Sequence, residues 1–243
     1  MSHYHTFTEE LLEEAVIELL EGMDYECAYG PDISHDGERP ERRDYREVIL
    51  EQRLRDALFN LNRNFPEEAL EEAYRKIITC NSPSVIENNR VFHQLLVEGI
   101  SVSVQRNGEW KTEVVTVIDL EHPKENDFLA VNQFTVIENE ERRPDVIIFV
   151  NGLPLVVVEL KSASDENVGI ENAYNQIQTY KHDIPSLFYY NAFCILSDGI
   201  NAKAGTITSN EERYMNWRSV DGVNIEPLTV PQYEVDYSKF VRT

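Results

Sequence analysis

The sequence predicts an α/β fold: a mixed central sheet of about five strands flanked by helices, with a helical lobe on the N-terminal side. Three observations point to it. Apolar residues recur at helical spacing through most of the first hundred residues. From Ile100 the period changes to short β-branched runs bounded by Gly, Pro and Asn. A further helical pattern, Val168 to His182, lies beyond those runs and ahead of more strands.

The elements follow in order. Leu12, Val16, Leu19 and Leu20 share one face of a helix that Thr8 can cap, with Glu9 and Glu10 in its first turn and Gly22 at its end. Tyr25 to Tyr29 suggests a short strand, and residues 30 to 46, rich in Gly, Pro, Asp and Arg, a loop. Val48, Leu50, Leu54, Leu58 and Leu61 mark a helix over 47–62. Pro66 and two glutamates open another that runs through Ile78, and a third spans Ser84 to Glu98, ending at Gly99. Ile100 to Gln105 alternates as a half-buried strand does, Asn107-Gly108 turns, and Thr112 to Leu120 is a second strand. Phe128 to Ile137 is a third. After the helix at 168–182 come a strand over Ala192–Leu196, a turn at Ser197-Asp198-Gly199 and a last strand over Ala202–Thr208. The expected organisation is an N-terminal helical part over 1–99 that includes the first core helix, a catalytic core over 100–220, and a Pro-rich tail over 221–243 that reads as a linker in a longer polypeptide.

Composition narrows the function. With 243 residues and 42% hydrophobic content, one large domain, or one domain and a small lobe, is within reach. No apolar run is long enough to cross a membrane, and the first residues lack the basic and apolar regions of a signal peptide. Cys27, Cys80 and Cys194 fit neither a zinc spacing nor a disulfide framework; they read as small buried hydrophobes in a reducing cytoplasm. The histidines show no ligand spacing. A net charge of −22 argues against an autonomous DNA clamp, since non-specific affinity comes from Lys and Arg neutralising phosphates. It is compatible with a divalent metal, or with DNA delivered by a more basic partner.

The stretch from Arg143 to Ser162 carries the chemistry. Val146 to Val150 and Leu155 to Val158 are buried-strand runs joined by Asn151-Gly152, a strong hairpin signal, with Pro154 shortening the start of the second strand. Asp145 opens the first strand, across from the region of Glu159, and Glu159 and Lys161 close the second on one face. Two carboxylates and an ammonium at one end of an apolar sheet cost free energy unless a cation binds there. The set fits a metal-dependent phosphodiesterase. Asp145, Glu159 and the backbone carbonyl of Leu160 are hard oxygen ligands suited to Mg²⁺, whose chemistry would be to polarise a phosphoryl oxygen and help generate hydroxide. Lys161 could position or deprotonate the attacking water and stabilise the developing oxyanion. The plainer alternative is an ion pair of Glu159 with Lys161, with Asp145 capping a turn. Gln176 and Tyr180, i and i+4, project from one helix face and could orient Lys161 or touch a DNA backbone; otherwise Tyr180 is core and Gln176 solvated.

These residues resemble the PD-(D/E)xK nuclease superfamily: Pro144-Asp145, then Glu159-Leu160-Lys161, with Gln176-Ile-Gln-Thr-Tyr180 similar to the Gln-x-x-x-Tyr motif of its RecB-like branch. More narrowly, residues 145–161 with Asn175 to Tyr180 resemble the N-terminal domain of the restriction (R, motor) subunit of type I restriction–modification enzymes. Leu12-Glu13, Tyr25-Glu26, Asn132-Gln133-Phe134 and Tyr214 to Trp217 extend the likeness over nearly the whole chain. The resemblance implies a restriction-endonuclease-like core in which Asp145 and Glu159 bind Mg²⁺ and Lys161 is catalytic. It implies supporting roles for Gln176, Tyr180 and a first-helix acid, for which Glu13 is chosen over Glu10 and Glu14; the plain reading of each of these acids is a solvated helix face. The implied activity is that of a type I site-specific deoxyribonuclease, cleaving unmodified foreign double-stranded DNA in a cytoplasmic complex with methylase and specificity subunits. ATP enters only through the full-length subunit, since this chain has no Gly-x-x-x-x-Gly-Lys-Ser/Thr loop. The alternatives are a catalytically silent module that docks the motor to its partner subunits, and a stand-alone cytoplasmic nuclease.

Overall fold

A computed structural model of the chain describes residues 8–162 and 169–219. Val168, where the expected later helix begins, and the tail over 221–243 lie outside the described residues.

The first helix, α1 (Glu9–Glu21), begins where expected: Thr8 Oγ1 accepts the Leu11 amide at 3.3 Å, and Leu12 and Leu20 are buried. A short strand, β1 (Glu26–Tyr29), follows. Three helices, α2 (Glu51–Leu61), α3 (Glu67–Ile78) and α4 (Val85–Glu98), form the lobe. The second of these has the cleanest apolar stripe, burying Ala69, Leu70, Ala73, Tyr74 and Ile77. Next comes a hairpin, β2 (Ile100–Arg106) and β3 (Glu109–Val115). It pairs only with itself and packs β2 on α3 instead of joining the central sheet. The reason is legible in β3: Glu109, Trp110, Lys111 and Thr112 are all exposed, a pattern that could not be covered on both faces.

The remaining strands are β4 (Phe128–Asn132), β5 (Val136–Ile137), β6 (Glu141–Arg142), β7 (Val146–Val150), β8 (Leu153–Leu160), β9 (Phe193–Ser197), β10 (Ala202–Gly205) and β11 (Met215–Asn216). Between β8 and β9 lie α5 (Gly169–Asp183) and α6 (Pro185–Phe188). The central sheet is mixed and has seven strands, in the order β1-β4-β7-β8-β9-β10-β11. The β1–β4 and β8–β9 pairs are parallel and the others antiparallel. It exceeds the expected five; its two edges are the four-residue β1, within the short strand expected over Tyr25 to Tyr29, and the two-residue β11, which is too short for a pattern. Contacts of α1 with β1, β4 and β8, and of α5 with β8 and β9, complete the layers.

Four other expectations are corrected. The strand expected over 128–137 breaks at Gln133, whose φ of 56° lies in the left-handed region and ends the ladder. The strand expected over 112–120 stops at Val115. Pro154 does not shorten the second hairpin strand; β8 starts at Leu153, and a register shift between Ile148 and Phe149 absorbs the proline that cannot donate to the ladder. Cys80 is exposed, Cys27 half-buried and Cys194 alone fully buried.

The hairpin turn itself is as expected. Asn151 and Gly152 both have positive φ, 54° and 75°, the conformation that matches strand twist in a two-residue turn. Asn151 is fully buried; its amide donates to the Val117 carbonyl at 2.8 Å, and its oxygen accepts the Asp127 amide at 2.8 Å. A Cβ on Gly152 would lie 2.5 Å from the Leu50 carbonyl oxygen and 2.8 Å from the Leu54 nitrogen. Gly152→Ala is therefore expected to destabilise the fold by about 2 kcal/mol or more, read as a lower denaturant midpoint with unchanged slope. A midpoint equal to that of the unmodified chain would contradict this packing.

Candidate active site

The register of the hairpin sets the site. Val146 pairs with Val158, so the next residues outward, Asp145 and Glu159, face each other across β7 and β8. Asp145 continues the ladder with its side chain: Oδ2 accepts the Leu160 amide at 2.7 Å. The Lys161 amide donates to the Ser197 carbonyl at 2.9 Å, fixing the end of β8 against β9.

Glu159 is fully buried. Its Oε1 accepts Lys161 Nζ at 2.7 Å, and its Oε2 has no hydrogen-bond partner among the described residues. Lys161 Nζ also donates to the Leu160 carbonyl at 3.0 Å. The three oxygens expected to hold a cation are thus gathered, with the lysine ammonium resting on two of them.

The electrostatics agree. Burial pushes the Glu159 carboxyl up to about 8, helped by the neighbouring Asp145 and opposed by Lys161. Burial pushes Asp145 up to about 6; the Leu160 amide and Lys161 oppose the rise, and Glu13 and Glu9 add to it. For Lys161, burial disfavours the ammonium, but Glu159, Asp145 and Glu9 outweigh it and hold the group above its ordinary value.

The expected supporting residues fall into place unevenly. Tyr180 is buried, accepts from Gln176 Nε2 at 2.9 Å and donates to the Arg143 carbonyl at 3.5 Å, so it braces the segment that leads into Asp145. Burial, and then the charge of Glu159, raise its hydroxyl pKa. Gln176 bonds to Tyr180 rather than to Lys161. Glu13 does face the site from α1, while Glu10 and Glu14 are exposed. Both Glu13 oxygens are taken: Asn132 Nδ2 donates to Oε1 at 2.8 Å and Gln133 Nε2 donates to Oε2. The left-handed turn at Gln133 that breaks the expected strand swings these amides onto the helix, and the Gln133 amide donates to the Asp145 carbonyl at 3.0 Å.

Sequence reasoning overlooked Glu9. Its Oε2 lies 3.8 Å from Lys161 Nζ. The spacing offered a partial signal, because Glu9 and Glu13 are four apart and so neighbours on one helix face, but Glu10, three from Glu13, shares it.

The donor set fits a hard divalent cation. An orphaned buried carboxylate oxygen, a second carboxylate with a raised pKa and a main-chain carbonyl stand together. Among the described residues no group of three or more His, Cys, Asp or Glu side chains is arranged to hold a metal ion, so substrate oxygens and water would fill the remaining positions. No helix among the described residues is long and apolar enough to cross a membrane.

The chain is similar to known proteins over most of its length. Residues 6–213 match the family described as the N terminus of the type I restriction enzyme R protein. The chain is 37% identical over 216 residues to the type I restriction enzyme HindI endonuclease subunit of Haemophilus influenzae, covering 88% of this chain and 20% of that protein. It is 33% identical over 228 residues to the putative type I restriction enzyme MjaIXP endonuclease subunit of Methanocaldococcus jannaschii, covering 92% and 22%. Over 188 residues it is 29% identical to the type I restriction enzyme EcoprrI endonuclease subunit of Escherichia coli, covering 72% and 56%. The chain therefore spans about a fifth of the length of the first two relatives.

Proposed function

The chain belongs to the type I restriction enzyme R protein N-terminal family, and on that premise we propose that it is the Mg²⁺-dependent endonuclease centre of such an enzyme, a PD-(D/E)xK site cutting unmodified foreign double-stranded DNA. The observation that carries this reading is Glu159: a fully buried carboxyl group that faces Asp145, with Oε1 accepting Lys161 Nζ and Oε2 without a hydrogen-bond partner among the described residues. A buried, incompletely satisfied acid is costly as structure and useful as a ligand.

Asp145, Glu159 and the Leu160 carbonyl would hold the ion. Bound there, Mg²⁺ would polarise the scissile phosphoryl group and supply the attacking water. Lys161, its Nζ 2.7 Å from Glu159 Oε1, would stabilise charge developing on the phosphoryl oxygens. Tyr180, with Gln176 behind it, keeps the Arg143–Asp145 segment in register. Glu13, pinned by Asn132 and Gln133, adds a fixed negative charge on the α1 side.

Target choice belongs elsewhere, because a centre of this kind touches phosphates and not base edges. So does most of the DNA affinity. The net charge is −22, and several of the chain's cations are engaged by acids: Arg53 by Glu26, Glu41 and Asp127, Arg55 by Glu51 and Glu71, Arg106 by Glu113, and Arg142 by Asp183. In the proposed cytoplasmic complex the methylase and specificity subunits present the DNA, and an ATP-driven motor in the full-length subunit moves it. The same charge favours a second reading, a docking module that joins the motor to those subunits without cutting.

A calorimetric titration separates the two. With Mg²⁺ or Mn²⁺ the chain is expected to bind at one site, and Glu159→Gln to weaken binding by about 100-fold or more, since a ligand is lost. No binding by the unmodified chain would favour docking.

A further inference from the structure

Lys161 rests where a cation held by Glu159 and Leu160 would have to be. Its Nζ is 2.7 Å from Glu159 Oε1 and 3.0 Å from the Leu160 carbonyl oxygen. An ammonium and a divalent ion cannot share those oxygens, because like charges at that distance repel strongly at any screening the protein offers. Lys161 must give up at least one of them on metal binding, and it must stay close to act on the phosphoryl group.

The surrounding acids are not equivalent as new partners. Asp145 Oδ2 is committed to the Leu160 amide. Glu13 has both oxygens bound by side-chain amides, so receiving an ammonium would break a satisfied pair of hydrogen bonds. Glu9 is different. It opens α1 one turn before Glu13, is 51% exposed, and already has Oε2 3.8 Å from Nζ, beyond hydrogen-bond length but within reach of one rotamer adjustment.

We propose that Glu9 is the positioning residue that receives the Lys161 ammonium when a divalent cation takes Glu159 Oε1 and the Leu160 carbonyl. This deepens the metal reading of the preceding subsection and rests on it. The two acids on the inner face of α1 then have separate duties: Glu13 is a fixed charge, and Glu9 is the rest position of the moving lysine in the loaded site. Without metal, Lys161 is parked on the ligand oxygens and the site is closed to chemistry.

The test follows the Lys161 side chain directly, by the ¹⁵Nζ resonance of the lysine ammonium in the full 243-residue chain. In the unmodified chain, saturating Mg²⁺ should move this resonance while keeping it protected from exchange with water. In Glu9→Gln the metal-free resonance should be nearly unchanged, and saturating Mg²⁺ should erase it through fast exchange. Glu13→Gln should respond to Mg²⁺ as the unmodified chain does. Glu9→Gln should lose no more than about tenfold in Mg²⁺ affinity, because Glu9 is not a ligand. In the assembled enzyme it should lower kcat by about tenfold or more at unchanged KM. A protected Mg²⁺-loaded resonance in Glu9→Gln would overturn the proposal, as would a loss of Mg²⁺ affinity as large as that of Glu159→Gln. An unmoved resonance in an unmodified chain that does bind Mg²⁺ would overturn it too. If the unmodified chain binds no Mg²⁺, the metal reading itself fails, and this inference goes with it.

Discussion

Lys161→Ala, placed in the assembled enzyme, is expected to lower DNA cleavage by about 1,000-fold or more while ATP-driven translocation continues at its normal rate. The size follows from where the ammonium sits. Its Nζ lies 2.7 Å from the fully buried Glu159 and close to where phosphoryl oxygens would meet a bound ion, in a setting that water does little to screen. The selectivity follows from the proposed division of labour: cleavage is assigned to the Asp145–Glu159–Lys161 site, and ATP-driven movement to the motor of the full-length subunit. Plasmid linearisation and strand displacement, measured on the same preparation, read the two activities separately. Cleavage retained to within tenfold of the unmodified enzyme would remove Lys161 from the chemistry. Loss of both activities would instead point to the docking role, since the defect would then lie in assembly.

How far the sequence foretold this site depends on the range of the interaction involved. The Asp145–Glu159–Lys161 set was legible because it is local. Two apolar runs around Asn151-Gly152 fix a hairpin register, and that register fixes which charges meet. The same locality carried the helix cap at Thr8 and the placing of Gln176 and Tyr180 on one helix face. What was missed depends on approaches between distant segments. Glu9 reaches Lys161 across more than 150 residues of chain, and its selection over Glu10 depends on how α1 is rotated against the sheet. Asn132 and Gln133 were noticed only as part of a resemblance. Their role as a clamp on Glu13 needs the left-handed turn at Gln133, where a non-glycine residue gives no composition signal. That the β2–β3 hairpin stands apart from the central sheet was not readable for a related reason: period-2 alternation shows that a strand is half-buried without showing against what.

The chain without metal should lose stability as the pH rises from about 5 to 8, by an amount on the order of a few kcal/mol. The sign comes from the two raised carboxyls. In the unfolded chain they titrate near the ordinary Asp and Glu values of 3.8 and 4.5, and in the folded chain at about 6 and about 8. Between those limits the folded state binds more protons than the unfolded state, so each further rise in pH favours unfolding. The contribution is complete below the unfolded values and is lost as Asp145 and then Glu159 give up their protons. Acids held below their ordinary values, such as Asp183 beside His182 and Arg142, act in the opposite sense but at lower pH, so they do not mask the trend. Denaturant unfolding at fixed ionic strength from pH 5 to 8.5 measures it. Glu159→Gln should flatten most of the slope and be more stable than the unmodified chain at pH 8, because a neutral amide replaces a buried charge. Saturating Mg²⁺ should restore stability most at the alkaline end, where no proton has to be displaced from the two acids. A stability that is flat or rising over this range in the unmodified chain would mean that Glu159 is ionised at no cost, which would remove the main physical reason for placing a cation at its unpartnered oxygen.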